Sequence, residues 1–290
     1  MRPILKRSLH WAGSAVATAG VAFVALRLHD YGVDINFARF DLITWLWVAA
    51  LALIYGLSNT MLALAWQNLL KLFGVHSSRL WAVRVYGISQ IAKYVPGNIF
   101  HLAGRQAMGV AAGLAGWPLA KSALWEQGVI SVAGALFGLL ALPLMVPSLS
   151  VAASTGMFAA SIGIAVIVSH RFIGPPVARA FGLYVGFLAI LALLFVVLIR
   201  LLAGNAVTGG GFWLLLGGAY VLAWLIGLVT PGAPAGIGIR ELLLLLLLKG
   251  AVNEADLLLA VVLGRVVTVG GDLLFFIAAA LLRTGRHSHD

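Results

Sequence analysis

Apolar residues occupy this chain in long blocks, and polar residues fall mostly between them. One run without a charged residue covers residues 127–170 and another covers 201–239. A water-soluble fold would need polar residues to cover its surface, so runs of this length require lipid around them. At about 1.5 Å of rise per residue against a hydrocarbon core of about 30 Å, the blocks predict spans near residues 9–28, 42–70, 122–145 and 151–169. Four more are predicted near 181–202, 212–230, 233–248 and 257–282, the seventh short and glycine-rich at its start. The predicted fold class is all-α: a polytopic helical membrane protein with about eight transmembrane segments. Residues 1–290 form a single integral membrane domain.

The polar intervals set the orientation. Lys71, Arg79 and Arg84 flank one connection, Arg171 and Arg179 another, and Arg283 and Arg286 the carboxyl end. These sides are expected to be cytoplasmic, with both termini there. The opposite connections carry Asp30, Asp34 and Asp41, or Glu254 and Asp256. This scheme leaves residues 85–113 without a span, so that stretch must enter and leave on the cytoplasmic side as a re-entrant hairpin. Its centre holds Lys93, Pro96, Gly97 and Asn98, where a proline removes a backbone donor and a glycine frees the chain to break at membrane depth. A second interruption, containing Pro231, Gly232, Gly236 and Gly238, is followed by Arg240 and Glu241. A proline-glycine break with a nearby cation in each half predicts a broken helix and a two-repeat, transporter-like architecture, with repeats near 43–145 and 181–282. Two unrelated loops are the plainer alternative.

Charge changes the picture inside the blocks. Lys93, Arg105, Glu126, Arg240, Glu241, Arg265 and Asp272 lie in or beside segments otherwise apolar enough for lipid. Each would cost about 2.5 to 3.5 kcal/mol at a span centre, so they are expected to face inward, pairing with one another or lining a hydrated cavity. Arg265 and Asp272 share a helix face but are separated by about 10.5 Å of rise, so each is expected to pair with another segment. Structural ion pairing is as good an account of any single residue as substrate binding. Lys93 and Arg240 differ, because each adjoins a helix break whose free N–H groups suit a phosphate. Glu241 could neutralise Arg240 or receive a headgroup amine.

Composition agrees with a lipid environment: 62% of the 290 residues are hydrophobic and 10% charged, against about a quarter charged in a soluble domain. Nine tryptophans and thirty-four glycines suit membrane interfaces and close helix packing. With no cysteine, disulfides, thiolate metal sites and cysteine nucleophiles are excluded. The net charge of +10 comes from basic residues placed singly at block ends, which fits topology and anionic bilayer lipids and gives no reason to expect nucleic acid. Arg2, Lys6 and Arg7 precede residues 9–28, a block read as an uncleaved span because it is long for a signal core. The seven histidines show no metal-ligand spacing, and His101 reads as a hydrogen-bonded helix residue. No phosphate-binding loop, nucleophile elbow or dinucleotide motif is present. No metal, no cofactor and no catalytic residue are expected.

Two motifs carry a family resemblance. Lys93-Tyr94-Val95-Pro96-Gly97-Asn98 and the stretch from Pro231 to Glu241 resemble the two signatures of the transmembrane region of lysylphosphatidylglycerol synthases, and of flippase-like proteins consisting of that region alone. Arg265 matches an arginine typical of that family's final span, and Glu126 a mid-chain glutamate usually followed by arginine. Here Gln127 replaces that arginine, and Ala233-Pro234-Ala235 lengthens the second signature. The resemblance implies a stand-alone lipid flippase rather than an enzyme, moving a phosphate-bearing lipid, aminoacylated or polyprenyl-linked among the candidates, between leaflets of a bacterial-type inner membrane. Lacking the soluble half after Asp290, it is not expected to aminoacylate anything. A membrane-embedded headgroup transferase, with Glu126 or Asp272 as base, is the alternative enzyme reading. A non-transporting scaffold for a lipid-modifying enzyme is the third, and self-association into a homo-oligomer fits any of the three.

Overall fold

A computed structural model describes residues 41–95, 99–203, 211–230 and 239–282. The predicted first span, residues 9–28, lies outside them, as do Pro96, Gly97, Asn98, Pro231, Gly232, Gly236 and Gly238. Every named element is a helix: α1 (Leu42–Leu72), α2 (Arg79–Gln90), α3 (Phe100–Ala111), α4 (Gly116–Met145), α5 (Val151–Val168), α6 (Pro175–Ala203), α7 (Phe212–Val229), α8 (Ile239–Leu247) and α9 (Glu254–Leu281). A 3-10 turn, Ile91–Tyr94, extends α2, and a π turn, Ser169–Ile173, extends α5.

Among the described residues six helices are long and apolar enough to cross a membrane: α1, α4, α5 with its π turn, α6, α7 and α9. Their surfaces explain why. The outer positions of α1, including Leu46, Trp47, Leu53 and Leu57, are exposed yet apolar, whereas a helix in water would present polar side chains there. The polar Asn59 and Gln67 of the same helix are buried, so the molecule keeps its polarity inside and offers hydrocarbon outward. The protein is a multi-pass membrane protein by this construction.

Two helices start earlier than hydropathy predicts, α4 at Gly116 and α6 at Pro175. Prolines 118 and 175 both fall in a first turn, where the missing N–H has no intrahelical partner to lose. Side chains cap other starts: Asp41 Oδ1 accepts from the Thr44 N–H at 2.8 Å on α1, and Ser78 Oγ accepts from the Trp81 N–H at 3.1 Å on α2. Of the seventh predicted block, 233–248, residues 233–238 lie outside the described residues, and α8 occupies nine of the rest. Helices α2 and α3, twelve residues each, are about 18 Å long and stand on either side of residues 96–98.

Helix α1 packs against α6 and α9, while α4 packs against α7. The α1–α9 approach is set by glycine. A Cβ on Gly56 would come within 2.8 Å of the Gly271 carbonyl oxygen, and one on Gly271 within 2.5 Å of the Ala52 oxygen, so only glycine lets these backbones meet. The packing also has a regularity. Exchanging α1, α2, α3 and α4 for α6, α7, α8 and α9 leaves the α1–α6 pair as it is and turns their other packed pairs into one another: α1–α2 into α6–α7, α2–α3 into α7–α8, α1–α9 into α6–α4, and α2–α9 into α7–α4. Helix α5 stands outside the exchange as a connector.

Candidate functional site

The close approach of α1 and α9 sets one polar cluster. Asn59, one turn beyond Gly56, donates from Nδ2 to Asp272 Oδ1 at 3.1 Å. Asp272 follows Gly271, and its side chain is fully shielded from solvent. The 3-10 turn brings two more partners: Tyr94 donates its hydroxyl to Asp272 Oδ2 at 2.5 Å, and the Lys93 ammonium lies 2.7 Å from the same oxygen. Lys93 also lies 3.5 Å from the Tyr55 hydroxyl, over the Tyr55 and Tyr94 rings at 5.9 and 5.3 Å. A carboxylate this deep needs a cation and hydrogen bonds to offset its lost hydration, and it has both.

The second cluster joins α2, α3 and α4. Glu126 accepts from the Tyr86 hydroxyl on Oε1 at 2.8 Å and from Arg105 on Oε2 at 2.5 Å. Arg105 is 2% exposed. Its guanidinium lies 4.1 Å from the centre of the Tyr86 ring and 5.5 Å from that of Trp66, where ring faces replace water around the charge.

Between the clusters is a cavity of about 80 Å³ lined by Lys93, Glu126, Arg240 and Arg265, with room for several waters. Arg240, from α8, and Arg265, from α9, are both buried, and the Arg240 guanidinium lies 5.8 Å from the Tyr220 ring centre. Tyr55, Phe187 and Trp224 also line the cavity, their rings following one another at 6.0 and 6.3 Å. The space thus joins cations to an aromatic face, an arrangement able to receive an anionic group attached to an apolar or weakly polar body.

Of the sequence-derived candidates, Lys93, Glu126, Arg240 and Arg265 line this cavity. Arg105 and Asp272 lie behind it as the ion-pair partners of Glu126 and Lys93. The backbone of Glu241 continues α8, and the proline-glycine candidates lie outside the described residues. His101, on α3, is buried on the cavity wall, and its Nδ1 makes no hydrogen bond. Tyr55, Asn59, Tyr86 and Gln90 were not anticipated, although Asn59 is a visible polar interruption in an apolar block. No protein-family model matches the chain, and no curated protein matches it.

Proposed function

We propose that this chain is a lipid translocase that receives a phosphate-bearing headgroup in the central cavity while the acyl chains stay in the bilayer. The observation that carries the reading is the convergence of Lys93, Arg240 and Arg265 on one cavity inside a helical body with an apolar exterior. Cations at this depth are costly unless they serve a partner or a substrate, and a phosphate answers both guanidinium and ammonium chemistry. Leaving the chains in hydrocarbon avoids transferring them through a polar interior. The resemblance of the Lys93 and Arg240 segments to the signatures of the lysylphosphatidylglycerol synthase membrane region supports the same reading.

The helix exchange supports an inverted-repeat architecture, with α1–α4 and α6–α9 as the two copies and α5 joining them. In it, α2 and α3 form a hairpin entering from the cytoplasmic side, and α7 and α8 form its counterpart from the other side. The described part of α8 packs against α7 as α3 packs against α2, which favours a hairpin arm over a complete span. Lys93 and Arg240, each close in sequence to a proline-glycine interruption, then lie within the membrane. The connections rich in basic residues, around Arg79 and Arg179, then face the cytoplasm of a bacterial-type inner membrane.

Reconstituted vesicles test the function. Purified protein should expose inner-leaflet fluorescent phosphatidylglycerol to an impermeant quencher added outside, whereas protein-free vesicles should keep that fraction protected. Equal protection in both would exclude translocation of this lipid.

A further inference from the structure

The charge balance of the cavity bears on which headgroup it accepts. Lys93, Arg105, Arg240 and Arg265 bring four positive charges to this interior, and Glu126, Asp272 and the sequence neighbour Glu241 bring at most three negative ones. The two carboxylates whose side chains are described are already matched at contact distance, Asp272 by Lys93 at 2.7 Å and Glu126 by Arg105 at 2.5 Å. Each of their four oxygens already accepts from a protein donor: Asn59 or Tyr94 on Asp272, Tyr86 or Arg105 on Glu126.

Aromatic faces could in principle hold an amine instead. Here Lys93 already lies over Tyr55 and Tyr94, and Arg240 lies over Tyr220. A second cation, on those faces or on the Phe187 and Trp224 rings of the same cavity, would meet like-charge repulsion from these side chains in a shielded space. A phosphate would meet the opposite field.

We infer that the cavity selects lipid phosphates whose headgroups carry net negative charge and no amine, such as glycerol- or sugar-bearing ones, and discriminates against zwitterionic and aminoacylated lipids. This rests on reading the cavity as a lipid-headgroup site. Beyond the phosphate, an uncharged polyol or sugar has the Phe187 and Trp224 rings to pack against. Aminoacylated candidates, allowed by the family resemblance, are then the disfavoured members of the substrate class.

Binding and transport can be read separately on the full chain in detergent and in vesicles. Titration with short-chain dihexanoylphosphatidylglycerol, dihexanoylphosphatidylethanolamine and a lysyl ester of the former should show a preference of at least about tenfold for the first, the effect of one unfavourable charge contact. Added salt should weaken that binding. Equal or tighter binding of either amine-bearing lipid, or no binding of the glycerol lipid, overturns the inference. Selective binding of the glycerol lipid without its movement in vesicles upholds the charge selection and overturns the transport reading instead.

Discussion

The ammonium of Lys93 lies 2.7 Å from Oδ2 of Asp272, and that contact ties the 3-10 turn after α2 to the helix carrying Arg265. The same carboxylate holds Asn59 of α1 and Tyr94. One buried acid therefore fixes three elements around the cavity and leaves Lys93, whose side chain is 15% exposed, partly open to it.

Breaking this pair from one side should be costly. Asp272→Asn or Lys93→Gln alone is expected to lose about 3 to 5 kcal/mol, because the remaining charge is left buried and uncompensated. The Lys93→Gln/Asp272→Asn double variant should recover much of that loss, measured by thermal unfolding in detergent. Additive losses in the double variant would show that the two groups act independently.

The Arg105–Glu126 pair should behave alike in stability. Glu126→Gln leaves Tyr86 a partner but strands the Arg105 charge, so unfolding temperature should fall by an amount reflecting about 3 to 5 kcal/mol. Arg265→Ala should also impair insertion or transport. Arg179→Gln, at an exposed position, should change stability by no more than about 0.5 kcal/mol. Indifference at both Glu126 and Arg265 would remove them from the functional interior.

Close helix approach makes Gly56 and Gly271 sensitive. Gly271→Val would drive a side chain into the Ala52 carbonyl and Tyr55 ring of α1, separating Asn59 from Asp272. Folding yield should fall sharply. Gly156→Val, at a position with open space around it, should be tolerated, and equal yields for the two would contradict the packing.

Topology can be read with single cysteines, since the parent has none. His76→Cys and Ala115→Cys should react with an impermeant thiol reagent from the cytoplasmic side, and Ser148→Cys and Ala251→Cys from the other. All four positions are exposed. Labelling of His76→Cys and Ala115→Cys from opposite sides would exclude the first hairpin, and a cytoplasmic Ala251→Cys would exclude the second.

The spanning helices were legible because each must be predominantly apolar for the length of the bilayer, a constraint that shows directly in hydropathy. The short helices α2 and α3 were legible only through the break at Pro96 and Gly97, which said where a helix stops but not which helix it meets. Partner assignment depends on the rotation and register of segments far apart in the chain. The sequence marked Asp272 and Lys93 as charges needing company, and nothing in it joined them. Tyr55, Tyr86 and Trp224 were hidden for a different reason: an aromatic residue in an apolar helix has the same hydropathic signature whether it faces lipid, core or cavity. For Arg105 and Glu126 the need for inward pairing was visible, whereas the Trp66 and Tyr86 faces around the guanidinium come from packing alone.

The most direct measurement of the central claim is lipid movement by Lys93→Gln/Arg240→Gln in vesicles, compared with the parent at equal, verified incorporation. The account predicts that the parent exposes inner-leaflet fluorescent phosphatidylglycerol to external quencher and that the double variant does not, with Lys93→Arg retaining part of the rate because a guanidinium also binds phosphate. Movement of the lipid by the double variant at the parental rate would contradict it.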